Sequence, residues 1–175
     1  MFQQADIALL DIDGQPALRD VLEELDALVL RLPLVQPALI SQALHRPNGE
    51  DYLVINAHGD KQGFIIPELA PSIAAEQPFN NHLTPEIIRA NSKLTGSVVV
   101  SLACATGTSS MAAAWLDGGA SAYIAPTGYP EASDALVFAT LLFWMLISHR
   151  ASLSEAMKSA SGAGGTTTMF KLYED

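Results

Sequence analysis

The sequence predicts an α/β domain built on a mostly parallel β-sheet with helices on both faces. Segments typical of strands alternate along the chain with segments typical of helices. The central predicted strands, residues 52–57 and 97–102, are apolar on both faces, as expected of parallel strands that helices cover. The chain has 175 residues and 49% apolar content, which is enough for a sizeable core. We therefore expect residues 1–175 to form a single domain.

Predicted strands and helices cover most of the chain. The predicted strands are residues 5–11, 52–57, 97–102, 121–125 and 166–173, with a small hairpin at 61–66. The predicted helices begin near Pro16, Pro37, Thr84, Thr108, Ala132 and Ser152. Apolar residues from Leu18 to Leu32 recur at helical spacing, so the first helix is expected to continue to Pro33. The second helix is expected to end at Leu44, before a turn at Asn48–Gly49.

The composition argues against several classes of function. A formal net charge of -10 repels phosphate backbones and anionic lipid headgroups, so we expect no nucleic-acid partner and no membrane partner. The longest apolar run, around 135–147, is shorter than the roughly 20 residues that span a bilayer. Cys104 is the single cysteine, which excludes an intrachain disulfide. Met1–Asp6 has no signal-peptide pattern, and together these features predict a cytoplasmic location.

Two residues suited to nucleophilic catalysis follow predicted strands. His58 comes directly after strand 52–57, and Cys104 follows strand 97–102. Because functional groups collect beyond the carboxyl ends of parallel strands, we expect the two side chains to lie close together. A thiolate is the nucleophile in cysteine catalysis, and an adjacent imidazole can take its proton and later protonate the leaving amine. The backbone N–H groups of Gly59 and Cys104 would then form an oxyanion hole.

The residues alone leave two other interpretations open. In the first, Cys104 is a small buried residue and His58 is an ordinary loop residue. In the second, the segment A-L-L-D-I-D-G at 8–14 resembles the nucleophile loop of haloacid-dehalogenase-like phosphatases. There Asp11 would attack phosphorus, Asp13 would act as the acid, and both would hold magnesium. That family also needs an acidic pair after a later strand, which the sequence lacks, and a strand end followed by a helix cap equally accounts for both aspartates.

Four further segments carry a resemblance to a known family. They are V-I-N-A-H-G-D at 54–60, V-V-V-S-L-A-C-A-T-G at 98–107, W-L-D-G-G-A-S-A-Y-I-A-P-T-G at 115–128, and the stretch from the late helix through S-L-S-E-A at 141–160. In this order they resemble the caspase-like cysteine peptidases of clan CD, especially the CHAT-domain and gingipain-like branches. The resemblance covers about residues 50–161.

The resemblance implies a caspase-like three-layer sandwich and a cysteine endopeptidase that hydrolyses peptide bonds in a protein or peptide substrate. His58 would act as general base and acid and Cys104 as nucleophile, with no metal and no cofactor. A homo-oligomer or a regulatory partner would be compatible with such a domain. A caspase-like module that binds a partner without catalysis is the alternative from another functional class.

The substrate pocket is expected at the same edge of the sheet. The predicted strand ends place Asp13, Asp60, Glu131 and Asp134 near it, and an acid in a partly dry pocket would attract a Lys or Arg side chain. Basic-specific relatives often carry Asp two residues before the cysteine, where this chain has Leu102. The same acids would also suit a solvated rim. We therefore expect a weak preference for a basic residue, followed by small or uncharged residues.

Overall fold

A six-stranded sheet forms the centre of the protein in a computed structural model that describes residues 4–12, 16–33, 40, 43–45, 51–68, 71 and 81–174. The described residues contain nine strands, of which β4, β5 and β6 form a separate small sheet. The strands are β1 (Asp6–Asp11), β2 (Leu28–Pro33), β3 (Tyr52–Asn56), β4 (Gly59–Asp60), β5 (Gly63–Ile65), β6 (His82–Leu83), β7 (Val98–Ser101), β8 (Ala122–Pro126) and β9 (Phe170–Glu174). The order in the large sheet is β2–β1–β3–β7–β8–β9. All neighbouring pairs are parallel except β8–β9, so the predicted mostly parallel sheet is confirmed.

Helices pack on both faces of this sheet. They are α1 (Pro16–Glu24), α2 (Pro85–Asn91), α3 (Ser109–Asp117), α4 (Ala132–Phe143) and α5 (Leu153–Ser161). Successive residues of a strand point to opposite faces, and the two apolar cores follow this alternation. On β1, Ala8 and Leu10 join the core beneath α2 and α3, whereas Ile7 and Leu9 join the core beneath α1, α4 and α5. The predicted α/β fold class is therefore confirmed.

The chain between Pro16 and Pro33 forms a helix followed by a strand, so the prediction of one continuous helix is wrong. Helix α1 ends at Glu24, and the chain turns at Asp26, where φ is 70°. Strand β2 then pairs with β1 along its whole length. Helical spacing of leucines was misleading because Leu28 and Leu30 lie in this strand with exposed side chains, and pairing with β1 outweighs local preference.

The predicted hairpin at 61–66 is present and slightly longer. Strands β4 and β5 pair antiparallel around the turn Lys61–Gln62, and β6 adds a third strand to this small sheet. Phe64 and Leu83 bury their side chains in the core beneath α2 and α3. The hairpin therefore follows β3 in sequence and packs against the same core, and His58 lies in the short link between them.

The predicted features between β2 and β3 fall mostly outside the described residues. Within the predicted helix 37–44, Ile40, Ala43 and Leu44 are helical. The turn at Asn48–Gly49 lies outside the described part of the chain.

Across the residues that are described, no helix has the length and apolar character needed to span a bilayer.

A partly buried ion pair and a hydrogen bond connect the carboxyl end of β1 to the neighbouring strands β2 and β3. The Asp11 side chain, at the end of β1, is fully buried, and one of its oxygens accepts a hydrogen bond from Arg31 Nε on β2 at 2.8 Å. Its other oxygen accepts a hydrogen bond from Asn56 Nδ2 at the end of β3 at 2.9 Å. Because an unpaired carboxylate is costly to bury, these contacts favour one relative position of the three strand ends.

Replacing Arg31 by Met should lower the free energy of unfolding by about 2 kcal/mol, because Asp11 then loses its cation while staying buried. Urea denaturation measures this change. The matched control is Arg89→Met, which removes an exposed contact with Asp117 and should cost less than about 0.5 kcal/mol. Equal losses in the two variants would contradict a special role for the buried pair.

Candidate active site

The pairing of β3 with β7 brings His58 and Cys104 to one edge of the sheet. The last register pair of these strands is Ile55 with Ser101, and Leu102 N donates a hydrogen bond to Ile55 O at 3.0 Å just beyond it. His58 and Cys104 each lie three residues past that pair. Both line the same cavity, which has a volume of about 250 Å³. The two residues predicted from the sequence therefore line one partly open cavity.

Gly59 is packed against the backbone that carries Cys104. A Cβ atom at Gly59 would lie 2.7 Å from the carbonyl oxygen of Cys104 and 2.9 Å from the Cβ of Ala103. No side chain fits at such distances, so the close approach requires glycine. The His58 carbonyl, immediately before it, accepts a hydrogen bond from Ile65 N at 3.0 Å. The segment that carries His58 is thus held between the hairpin and the Cys104 loop.

Two buried hydroxyl groups shape the loop that carries Cys104. Thr106 Oγ1 donates to the carbonyl oxygen of Ala103 at 2.8 Å, and the Ala103 N–H donates to Ser101 Oγ at 3.1 Å. Ser101 Oγ lies 2.8 Å from Thr106 Oγ1, which closes a ring of hydrogen bonds around the turn. Cys104 itself is only partly buried, so the ring fixes the backbone while the thiol stays next to the cavity.

The same loop is also attached to β8 and β9. Tyr123 Oη donates to the carbonyl oxygen of Thr106 at 3.1 Å, and Tyr173 Oη donates to that of Gly107. Burial raises the pKa of Tyr123 far above its usual value, and burial also raises the pKa of Tyr173. Both phenols therefore stay protonated and keep their donor role. Ala105 N adds a hydrogen bond to the carbonyl oxygen of Gly128 at 2.6 Å.

The residue after Cys104 has an unusual backbone conformation. Ala105 has a φ of 55°, in the left-handed region that costs a non-glycine residue on the order of 1 kcal/mol. The hydrogen bonds of the loop hold this conformation in place, and such strained positions cluster at functional sites. Helix α3 begins only at Ser109, with Thr108 Oγ1 accepting from Met111 N at 3.2 Å. The N-cap of the helix is therefore Thr108, several residues beyond Cys104.

The cavity beside Cys104 is largely apolar. It lies between α1, the ends of β3 and β7, and the first turns of α4. Leu18, Leu102 and Leu136 contribute the larger apolar side chains of its wall. Among the described lining residues, the one polar residue besides His58 and Cys104 is Asn56, whose amide nitrogen donates to Asp11.

Three of the four acids that the sequence suggested for a substrate pocket, Asp60, Glu131 and Asp134, do not line this cavity. Asp60 accepts hydrogen bonds from the backbone N–H groups of Gln62 and Gly63 at 2.7 and 3.3 Å, and its carboxylate lies 3.1 Å from His82 Nε2. Partial burial raises the pKa of Asp60, but the hydrogen bonds from Gln62 and His82 outweigh it and leave the pKa below the usual value. Asp60 therefore stabilises the hairpin turn and does not line the cavity.

The other acids of that set have equally local surroundings. Asp134 accepts hydrogen bonds from the hydroxyl and the backbone N–H of Thr166, both at 2.7 Å, and these bonds hold its pKa below the usual value. Glu131 is exposed at the N-cap of α4. Neither residue lines the cavity, although Pro130 and Ala132, which flank Glu131, and Ala135, which follows Asp134, do. Asp13 lies outside the described residues, so its predicted pocket role stays a prediction.

No protein-family model matches the sequence, and no curated protein is similar to it at the level of sequence. Similarity appears among solved structures. The crystal structure of the Arg-specific cysteine proteinase gingipain R matches 97% of this chain with a TM-score of 0.62 at 14% identity. The complex of RgpB pro- and mature domains from Porphyromonas gingivalis matches 98% with a TM-score of 0.61 at 12% identity. The separase–securin complex of Saccharomyces cerevisiae matches 99% with a TM-score of 0.62 at 11% identity.

The chain spans under half the length of these structures. It covers 46% and 47% of the two gingipain chains and 12% of the matched chain in the separase–securin complex. At such low identities the likeness shows the fold alone. The protein is thus an α/β domain with the caspase-like fold that gingipain and separase share.

Proposed function

We propose that this chain is a cysteine endopeptidase domain that hydrolyses peptide bonds in a protein substrate, with Cys104 as nucleophile and His58 as general base and acid. The observation that carries the proposal is the shared cavity, which both residues line at the carboxyl edge of the parallel sheet. The close packing of Gly59 on the Cys104 carbonyl supports it, because His58 and Cys104 then sit on touching backbone segments. We include residues 1–175 in this one domain.

The reaction follows from the chemistry of these groups. His58 takes the thiol proton, and the sulfur of Cys104 forms a bond to the carbonyl carbon of the substrate. The oxyanion that develops accepts hydrogen bonds from backbone N–H groups, for which Gly59 and Cys104 are the candidates. The C–N bond then breaks, and His58 returns its proton to the departing amine. Water, deprotonated by His58, attacks the thioester, releases the acid product and restores the thiol.

The surroundings of Cys104 suit this role. A nucleophile must be held within a fraction of an ångström of its productive position, which requires a rigid supporting backbone. The hydroxyls of Ser101 and Thr106 provide that support from within the loop, and Tyr123 provides it from β8. This chemistry needs neither a metal nor a cofactor.

Complexes among the similar structures are relevant to the proposed partners. One pairs pro- and mature domains, and the other pairs separase with securin. We extend this to the present chain as a proposal that its substrate is a protein or peptide and that its activity is compatible with a regulatory partner or a homo-oligomer.

The phosphatase interpretation gains no support from the position of Asp11. Its carboxylate is fully buried and bonded to Arg31 and Asn56, so it does not face a space that a phosphate ester would occupy. The proposed acid, Asp13, lies outside the described residues. The non-catalytic interaction module remains the alternative that experiments on Cys104 must separate from a peptidase.

Cys104→Ala should abolish cleavage of a peptide library and labelling by peptidyl acyloxymethyl ketones, because the nucleophile is gone while little volume is lost. Mass spectrometry and a fluorogenic peptide assay measure the two effects. Unchanged thermal melting of Cys104→Ala shows that its fold is kept. His58→Ala should lower the cleavage rate by about 10²- to 10⁴-fold. If iodoacetamide modifies Cys104 and yet no peptide is cut, the non-catalytic module is the better interpretation.

Gly59→Ala should reduce cleavage at least about 100-fold, because its Cβ would overlap the Cys104 carbonyl oxygen and displace either that carbonyl or the His58 segment. The same overlap should lower the free energy of unfolding by about 2 kcal/mol. Gly162→Ala is the control, since Gly162 has a φ of -79° and its nearest atom is the Lys158 carbonyl oxygen at 3.2 Å. Full activity of Gly59→Ala would argue against a site at this contact.

Asp11→Asn should leave peptidase activity within a few-fold when it is measured on the folded protein, because Asp11 does not reach the cavity. The parallel assay follows magnesium-dependent phosphate release from a general phosphomonoester. Wild-type phosphatase activity that disappears in Asp11→Asn, without peptidase activity in either protein, would favour the phosphatase.

A further inference from the structure

We infer that the cavity beside Cys104 selects an uncharged, apolar side chain on the substrate residue that supplies the cleaved carbonyl. The inference rests on the proposed peptidase function and names the substrate class of that site. It replaces the weak preference for basic residues that the sequence suggested.

The position of the cavity determines which substrate residue it receives. Sulfur attack at Cys104 requires the substrate carbonyl carbon to lie against the thiol. The Cα atom that bears the side chain of the acyl residue is bonded directly to this carbon. Since Cys104 and His58 both line the cavity, that side chain is the part of the substrate placed at its mouth.

The cavity has walls and a size suited to an apolar group. Three leucines line the same space: Leu18 from α1, Leu102 from the loop just after β7, and Leu136 from α4. The volume of about 250 Å³ exceeds the roughly 150 Å³ of an apolar cavity that accommodates benzene. A Leu, Met or Phe side chain therefore has room, and its burial removes apolar surface from water on both partners.

Apart from the reacting pair His58 and Cys104, the described lining residues carry no charged side chain that could pair with a charged substrate side chain. The amide of Asn56 donates a hydrogen bond to the carboxylate of Asp11, but that carboxylate is fully buried, is paired with Arg31 and does not line the cavity. Asp60 and Asp134 hold their own loops through hydrogen bonds. Beyond the His58–Cys104 pair, whose charges the reaction itself uses, a Lys, Arg, Asp or Glu side chain would lose water here without gaining an ionic partner among the described lining residues, which is unfavourable.

The test uses peptidyl acyloxymethyl ketones that are identical except for Leu, Arg or Asp before the warhead. Second-order rates of Cys104 modification are measured by mass spectrometry on the full chain. We expect the Leu reagent to react about 10- to 100-fold faster than the Arg and Asp reagents. Equal rates, or the fastest rate with Asp, would overturn the inference and leave the peptidase proposal intact.

A substitution in the wall tests the same inference in the opposite direction. Ala132→Asp places a carboxylate in the lining at the first residue of α4, where a helix N-terminus favours negative charge. We expect the Arg-to-Leu rate ratio to rise at least tenfold. Ser154→Asp is the matched control, because it adds the same charge at the first turn of α5, outside the cavity, and should leave the ratio unchanged.

The two remaining outcomes separate the inference from the function on which it rests. A wild-type preference for the Arg reagent that Asp13→Asn removes would overturn the inference and assign the pocket charge to Asp13. If none of the reagents modifies Cys104 while iodoacetamide does, the proposed peptidase function fails, and the pocket inference fails with it.

Discussion

The candidate site depends on the register of the parallel strands β3 and β7. Their last pair, Ile55 with Ser101, sets His58 and Cys104 at equal distances along the chain beyond the sheet. Because β3 and β7 are apolar on both faces, a slip of one residue is opposed by the loss of close side-chain packing and, on β3, by the loss of the Asn56 hydrogen bond to the buried Asp11 carboxylate. The juxtaposition of the two residues is therefore a consequence of core packing. The hydrogen bonds of the Cys104 loop refine it.

The Cys104 loop is held by contacts from the strands on both sides of β7. On one side, Gly59 packs on the Cys104 carbonyl from the end of β3. On the other side, Tyr123 and Tyr173 donate from β8 and β9 to carbonyl oxygens of the same loop. Because β9 is the antiparallel edge strand, the carboxyl-terminal part of the chain contributes directly to the candidate site. A left-handed Ala105 is tolerable only in such a fully bonded loop.

Sequence reasoning identified the sheet and the residues at its edge because both are local signals. Continuous apolar runs ending at His58 and near Cys104 are visible in a single chain. The prediction of one helix from Leu18 to Leu32 was wrong because the apolar spacing fits a helix throughout. The later part of this region pairs with β1 instead, and local spacing does not encode that contact. The hydrogen bond between Tyr173 and Gly107 joins residues far apart in the chain, so no local sequence pattern predicts it. Asp60 and Asp134 are oriented by hydrogen bonds from Gln62 and Thr166. These bonds depend on the folded turns, so the sequence did not show which way the two carboxylates point.

The contrast between the acidic chain and the apolar cavity separates two kinds of selectivity. A net charge of -10 acts over about a Debye length, so it raises the encounter rate of basic peptides and is weakened by salt. The cavity would act only on the side chain that enters it, where Leu102 and its apolar neighbours offer contact surface. A basic residue elsewhere in a substrate would therefore speed arrival, while the residue at the cleaved bond would be chosen by apolar contact. In the proposed peptidase, the negative net charge and an apolar pocket are thus compatible, since the charge would govern association and the pocket would govern which bond is cut.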